Sequence, residues 1–348
     1  MDRFPCNFPR SFRLVTGALA ALLAFTAVVT SSEAAAPGYT SQRMFGVDYI
    51  DARDFARRFG LTPAWIVANK SMSLKSQWTT IQLTVHDVDI YLNGVRIFLG
   101  NPVVARGSSL FISEKDAEQL LAPILTPNAL RVRRPIETIV IDAGHGGRDP
   151  GNQNSRLKLS EKTYTLDVAR RLERLLKKEG YKVVMTRKND RAVELDERTA
   201  IANKANADLF ISIHFNGFSQ SAIAGTETYV MTPRHQRSSP QAERDNRMVT
   251  TAYPANKHDD WNAALGYHIH RSMVTSLKSV DRGLKRFRYS VLRSVDCPAV
   301  LVEAAFLSND AEGRKVSTSA YRQKIAESIA AGVKQHAALN ATVRARKG

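Results

Sequence analysis

Hydrophobic and polar positions change their rhythm along the chain near residue 136. From Ile136 onward, short apolar runs alternate with longer stretches of helical period. "ETIVIDAG", "YKVVMTR", "DLFISIHF", "GTETYVM", "RYSVLR" and "PAVLVEAAF" read as strands. "SEKTYTLDVARRLERLLKKEG", "LDERTAIANKAN", "WNAALGYHIHRSMVTSLK" and the stretch from Tyr321 to Ala338 read as helices. Near-continuous apolar strands with helical crossovers predict an α/β fold: a mixed, largely parallel sheet with helices on both faces.

Before that point the pattern predicts a small α+β domain over residues 43–125. Asp51 is placed to cap a helix that carries Phe55, Ala56 and Phe59 on one face and stops at Gly60. "DIYLNGVRIFLG" sets alternating apolar residues around Asn93-Gly94, a strong hairpin signal. Ser113 opens a short helix, "EKDAEQLLAPIL", and residues 126–135 read as a linker punctuated by Pro127 and Pro135. This region has no cluster of catalytic residue types, so a binding or spacing role is expected of it. Its pattern resembles the small N-terminal domain of copper amine oxidases, a module that recurs in cell-wall proteins.

The first 36 residues read as a cleaved signal peptide, with Arg3, Arg10 and Arg13, then the apolar "LVTGALAALLAFTAVV", then small residues ending at Ala36. The apolar core falls short of the roughly 20 residues that a spanning helix needs. Export is therefore expected, to a periplasm or to the cell wall and beyond, with no membrane span in the mature chain. Cys6 would leave with the leader, and Cys297 alone cannot form an intrachain disulfide.

The formal charge is +17, and removing the leader takes away three Arg against Asp2 and Glu33, leaving +16. Such a basic chain attracts polyanions, whether wall polymers, anionic lipid or nucleic acid. Its basic residues are not interleaved with an aromatic platform of the kind that holds single strands, so nucleic acid is not expected as a partner.

Three apolar runs each deliver a chemically capable side chain at the strand end where open α/β sheets bind ligands. "TIVIDAGH" leads to His145, "LFISIH" to His214 and "AVLVE" to Glu303. One histidine in such a place is commonly a structural residue; two with a glutamate are harder to explain that way. Ser160 is placed to cap the helix that follows His145 and Glu161 sits in its first turn, where the helix dipole favours a carboxylate in any case, and the intervening loop with Gly146, Gly147, Pro150 and Gly151 can bring that carboxylate back beside the first histidine.

These segments, "VIDAGHGGRDPGN", "SEKTYTLDVARRL", "DLFISIHFNG" and "PAVLVEAAFLSN", resemble the four signature blocks of the zinc-dependent N-acetylmuramoyl-L-alanine amidases, in the family's order, over residues 136–340. The resemblance implies one Zn²⁺ held by His145, Glu161 and His214, with Glu303 as the catalytic carboxylate. Two His and one Glu agree with catalytic zinc, which keeps a position open for water. The implied substrate is peptidoglycan, cut at the amide between N-acetylmuramic acid and the L-alanine of the stem peptide. A zinc peptidase acting on stem peptides and a catalytically silent wall-binding protein are the alternatives.

Asn216 is a further candidate for substrate binding, with a turn-forming role equally open. Asp142 is a candidate to hold a ligand imidazole from behind, and Arg187 and Arg198 read as structural or as paired with acidic neighbours. His268 and His270 lie two apart on a helix and point to different faces, and His235 and His258 fall in a polar stretch. Residues 232–262 depart from the simplest family pattern. Some members carry an inhibitory helix there that a partner protein displaces; here Pro233, Pro240 and Pro254 predict a mobile surface loop near the substrate groove, and a protein activator remains open.

Overall fold

The computed structural model describes residues 39–239 and 248–347. The expected leader and Cys6 lie outside the described residues. No helix among the described residues is long and apolar enough to cross a membrane.

The central feature is a sheet of eleven strands. From one edge it runs Lys182–Met185, Thr138–Ala143, Leu209–Asn216, Ala299–Phe306, Thr226–Val230 and Asp281–Arg286. The first four of these are parallel, Thr226–Val230 is antiparallel to Ala299–Phe306, and Asp281–Arg286 is again parallel to its neighbour. Over these six strands the mixed, largely parallel sheet expected from the sequence is what forms.

Helices cover both faces. On one, Glu161–Lys178, Asp259–Leu277 and Ser319–Lys347 bury Leu172, Ile269 and Ile329 against Ile139, Ile141, Ile213 and Val302. On the other, Leu195–Lys204 and the turn Ser290–Arg293 close over Val140, Phe210 and Leu301. Successive strand residues thus enter opposite cores, which is why these strands read as unbroken apolar runs rather than as alternation.

Part of the N-terminal region forms its own four-stranded sheet, ordered Ser41–Met44, Val47–Asp51, Ser109–Ser113 and Val104–Arg106. Asp51 caps Ala52–Arg58 by accepting from Arg53 N, as expected. The five strands from Thr62 to Phe98 instead extend the large sheet: Val95–Phe98 runs parallel to Asp281–Arg286, with Ile97 opposite Leu284. Asn93 and Gly94 close the predicted hairpin, both at positive φ (52° and 77°), as a two-residue turn of this kind demands.

Three expectations need correction. "RYSVLR" is not a strand: Ser290–Arg293 is a helical turn, and the strand is the preceding "DRGLKR". That strand escapes the apolar pattern because Lys285 and Arg286 are buried in ion pairs, with Glu227 and Asp116 respectively, each at 2.7 Å. Ser160 does not cap its helix through its hydroxyl, which donates to Pro150 O at 2.9 Å.

The third concerns residues 232–262. Thr232, Gln236, Ser238 and Ser239 are buried rather than on the surface. Arg286 donates to Gln236 Oε1 at 2.7 Å and the Gln236 amide donates to Asp116 at 3.2 Å, so buried polar groups and not apolar periodicity fix this segment. Pro254–His258 forms a 3₁₀ turn ahead of the long helix. Residues 240–247 fall outside the described residues.

Candidate active site

His145, Glu161 and His214 converge from three elements. The first follows Thr138–Ala143, the second opens Glu161–Lys178 and the third lies near the end of Leu209–Asn216. Their ligand-capable atoms all lie within 4.8 Å of one another, the one such group of three or more found among the described residues. His145 Nε2 is 3.0 Å from Glu161 Oε2, and His214 Nδ1 is 2.9 Å from Glu161 Oε1. The two imidazoles meet edge to face with centroids 4.9 Å apart.

The backbone is shaped to permit this convergence. His145 holds φ at 61°, a left-handed conformation that is uncommon outside glycine and concentrates at functional sites. A Cβ on Gly144 would stand 2.3 Å from His214 Cε1, and one on Gly151 would stand 2.5 Å from Glu161 Oε2. Both glycines therefore give room to the side chains of the cluster themselves. Gly146 makes way instead for the Arg191 carbonyl, 2.3 Å from where its Cβ would be.

Each member is oriented by a neighbour. His145 Nδ1 is 2.8 Å from Asp149 Oδ2, which leaves Nε2 for the cluster. Glu161 is fully buried and also accepts from the Asn152 backbone N–H (2.7 Å), the Asn152 side-chain amide (3.0 Å) and the Phe215 N–H (3.0 Å). Burial alone pushes the Glu161 carboxyl up, but the hydrogen bonds and charges of His145 and His214 outweigh it and hold the group well below the usual carboxylate range. Burial likewise lowers His145, while Glu161 and Asp149 win and raise it.

Glu303 sits beside His214 in the sheet register, and both line a cleft of ≈ 450 Å³ with His145, Asn152, Leu195, Arg198 and Tyr289. Burial, reinforced by Glu161 and Glu227, raises the Glu303 carboxyl well above its ordinary value. Its Oε2 is covered and has no hydrogen-bond partner. A cation beside it acts in the opposite direction and favours the charged carboxylate. The donor set of two imidazoles and one carboxylate, the room left by Gly144 and Gly151, and this orphaned oxygen together fit a single zinc ion.

The family model for N-acetylmuramoyl-L-alanine amidases matches residues 139–335, more than half of the chain. The chain belongs to the N-acetylmuramoyl-L-alanine amidase family. It is 33% identical over 235 residues to amidase AmiC of Escherichia coli O6:H1, covering 62% of this chain and 56% of AmiC. Over 215 residues it is 33% identical to AmiA of Escherichia coli K12, covering 56% of this chain and 74% of AmiA. A crystal structure of an N-acetylmuramoyl-L-alanine amidase from Clostridium difficile 630 is 28% identical, covering 58% of this chain and 97% of that one, with a TM-score of 0.49. The chain spans a little over half the length of AmiC.

Within this amidase-family site the remaining expected residues divide. Asp142 touches no imidazole: Thr186 and Arg198 donate to its Oδ1, both at 2.7 Å, and Ser212 to its Oδ2 at 2.8 Å. The carboxylate that meets an imidazole of the cluster is instead Asp149. Arg198 pairs with Asp142 as expected and also donates to the Ala143 and His145 carbonyls, while Arg187 is buried and gathers the Ala143, Gly144 and Lys162 carbonyls. Asn216 donates to Glu227 Oε2 at 3.0 Å and accepts from Gly217 N at 2.8 Å, so its amide is already engaged within the protein.

The other histidines stand apart. His270 is buried between Thr228 and Asp281, at 2.9 and 2.8 Å, and His258 approaches Asp296 at 3.3 Å. Cys297 is buried, and desolvation pushes its thiol up to about 12, which makes it a poor nucleophile. Asn152 and Asp149 were not legible as site residues. An acid four positions after His145 is a faint hint, and nothing in the sequence marks Asn152.

Proposed function

We propose that this chain is an exported zinc-dependent amide hydrolase of peptidoglycan, cutting between the lactyl group of N-acetylmuramic acid and the L-alanine of the stem peptide. The observation that carries the reading is the convergence of His145, Glu161 and His214 within 4.8 Å, in the same cleft as a glutamate whose buried oxygen is unpartnered. Membership of the amidase family supplies the substrate class. The leader-like residues 1–36 support export, and the net basic charge suits an anionic wall polymer.

His145, Glu161 and His214 would hold the zinc, with Asp149 fixing the His145 tautomer and Asn152 and Phe215 N–H fixing the carboxylate. When bound there, zinc lowers the pKa of water to about 7 and polarises a carbonyl. Glu303 takes the proton from the attacking water and delivers it to the departing amine of L-alanine, general base first and general acid afterwards. Arg187 and Arg198 hold the carbonyls of residues 143–145 and with them the left-handed turn at His145.

The test is mass analysis of fragments released from purified peptidoglycan, with and without chelator. Stem peptides with a free L-alanine amine, matched by free muramoyl lactyl carboxylates and abolished by chelation, are expected. Cleavage only within the stem peptide would replace the amidase by a peptidase.

A further inference from the structure

A second groove, of ≈ 590 Å³, adjoins the cleft across a ridge made by Asn152 and Gly217. Asn152 lines the cleft, and the next residue along, Gln153, lines the groove. Phe218, which follows Gly217, lines the groove from the other loop. The two loops touch at the ridge: the Asn152 amide donates to Phe215 O at 3.0 Å, and a Cβ on Gly217 would stand 2.3 Å from Asn152 Oδ1.

Bonds inside the protein fix the floor of this groove. Buried Asn154 donates to Leu307 O (2.9 Å) and to Asp310 Oδ1 (3.0 Å), the Ser308 hydroxyl accepts from Phe218 N (3.0 Å), and Asn309 Nδ2 donates to Ser221 O (2.8 Å). The rim is left uncommitted. Gln153, Ser155, Ser219 and Arg314 are exposed, and none of these four side chains has a partner among the described residues. Phe218 stands among them, 52% exposed.

We propose that this groove holds the glycan strand of the polymer, with a sugar ring against Phe218 and its hydroxyl and acetamido groups on Gln153, Ser155, Ser219 and Arg314. This rests on the amidase reading of the cleft beside it. Two arms meet at the scissile amide, and their chemistry differs. The cleft carries Val193, Leu195, Val291 and Tyr289, which suit an alanine methyl and the peptide beyond it. A pyranose ring has an apolar C–H face and a rim of hydroxyls, so an open aromatic face beside free amide, hydroxyl and guanidinium groups matches it. The ridge at Asn152 and Gly217 then lies under the junction of sugar and peptide.

The test measures binding by titration calorimetry, on full-length native protein, Phe218→Ala and Phe218→Tyr. The two probes are glycan oligomers stripped of peptide, built of N-acetylglucosamine and N-acetylmuramic acid, and free stem peptide. Phe218→Ala is expected to bind the glycan about five- to tenfold more weakly, the scale of one lost ring contact, and the stem peptide within about twofold of native. Phe218→Tyr keeps the ring and is expected to keep the glycan affinity. The kinetic counterpart is the preference in kcat/KM for long glycan chains over a single muramoyl peptide, which should shrink by the same factor in Phe218→Ala.

No binding of peptide-free glycan by the native protein, native glycan affinity in Phe218→Ala, or a Phe218→Tyr as weak as Phe218→Ala overturns the proposal. A loss that falls on the stem peptide instead gives the groove to the other arm and overturns it equally. Glycan binding that depends on Phe218 in a native chain that frees no L-alanine amines overturns the amidase reading and leaves the groove standing. An active native chain with indifferent variants overturns the groove alone.

Discussion

Asp149 Oδ2 lies 2.8 Å from Nδ1 of His145, four residues before it, and so leaves the opposite ring nitrogen for the Glu161 and His214 cluster. Asp149 is on the surface, with its side chain 59% exposed. Its replacement costs little in folding and acts on the imidazole. Asp149→Ala is expected to weaken zinc binding by about 10- to 100-fold with a nearly unchanged melting temperature, as measured by competition with a chromogenic chelator. Unaltered affinity would show that the His145 tautomer is set elsewhere.

In the mechanism proposed, holding the metal and moving the proton fall to different residues, and the two roles can be separated. His145→Ala is expected to bind little zinc and to be inactive. Glu303→Gln keeps stoichiometric zinc and loses about 10²- to 10⁴-fold in turnover, the range for a positioned acid–base group. Metal analysis beside kinetics decides, and near-native turnover in Glu303→Gln would remove the mechanism proposed.

The buried pair of Arg198 and Asp142, 2.7 Å apart with both side chains at 5% exposure or less, underlies the floor of the site. Removing one partner leaves the other charge buried and unpaired, at a cost of about 3–5 kcal/mol. Arg198→Ala is therefore expected to lower the midpoint of denaturant unfolding strongly. The same substitution frees the carbonyls of Ala143 and His145, so zinc affinity should fall with it.

Acid should destabilise the fold through histidines that do not line the cleft. Burial holds His336 well below the usual histidine value and His268 down at about 4, and their rings lie beside each other, His336 also against Trp261. A histidine whose folded pKa is depressed favours the neutral form. Its contribution is thus fully present above the unfolded value of about 6.5 and is lost as pH falls toward the folded value, at up to about 1.4 kcal/mol per pH unit for each group. Denaturant unfolding of the apo protein between pH 7 and pH 4.5 should show this slope, and His336→Gln should flatten it. An equal slope in the variant would place the acid sensitivity elsewhere.

Much of this was legible because the candidate site residues punctuate apolar strands. His145, His214 and Glu303 each follow a run that only a buried strand explains, and Glu161 opens a strongly amphipathic helix, so pattern and chemistry point to one edge of one sheet. Even so, the strands bearing His214 and Glu303 continue past them, to Asn216 and Phe306. What stayed hidden is polar and buried. Glu227, Lys285, Arg286 and Asp116 look like surface residues in the sequence, because ion pairing across 58 and 170 positions leaves no local signature. The supporting contacts of Asp149 and Asn152 depend on loop geometry that hydrophobic period does not encode.

The pairing of Ile97 with Leu284 bears on how this protein can be cut and recombined. Excising everything before Ile136 would leave Asp281–Arg286 as an open border of the sheet, with unsatisfied backbone groups and with Arg286 deprived of Asp116. Such a border is a template for pairing between chains. The amidase-family half is therefore a poor cassette for grafting onto other proteins, and shortened versions would be expected to precipitate before their chemistry could be judged.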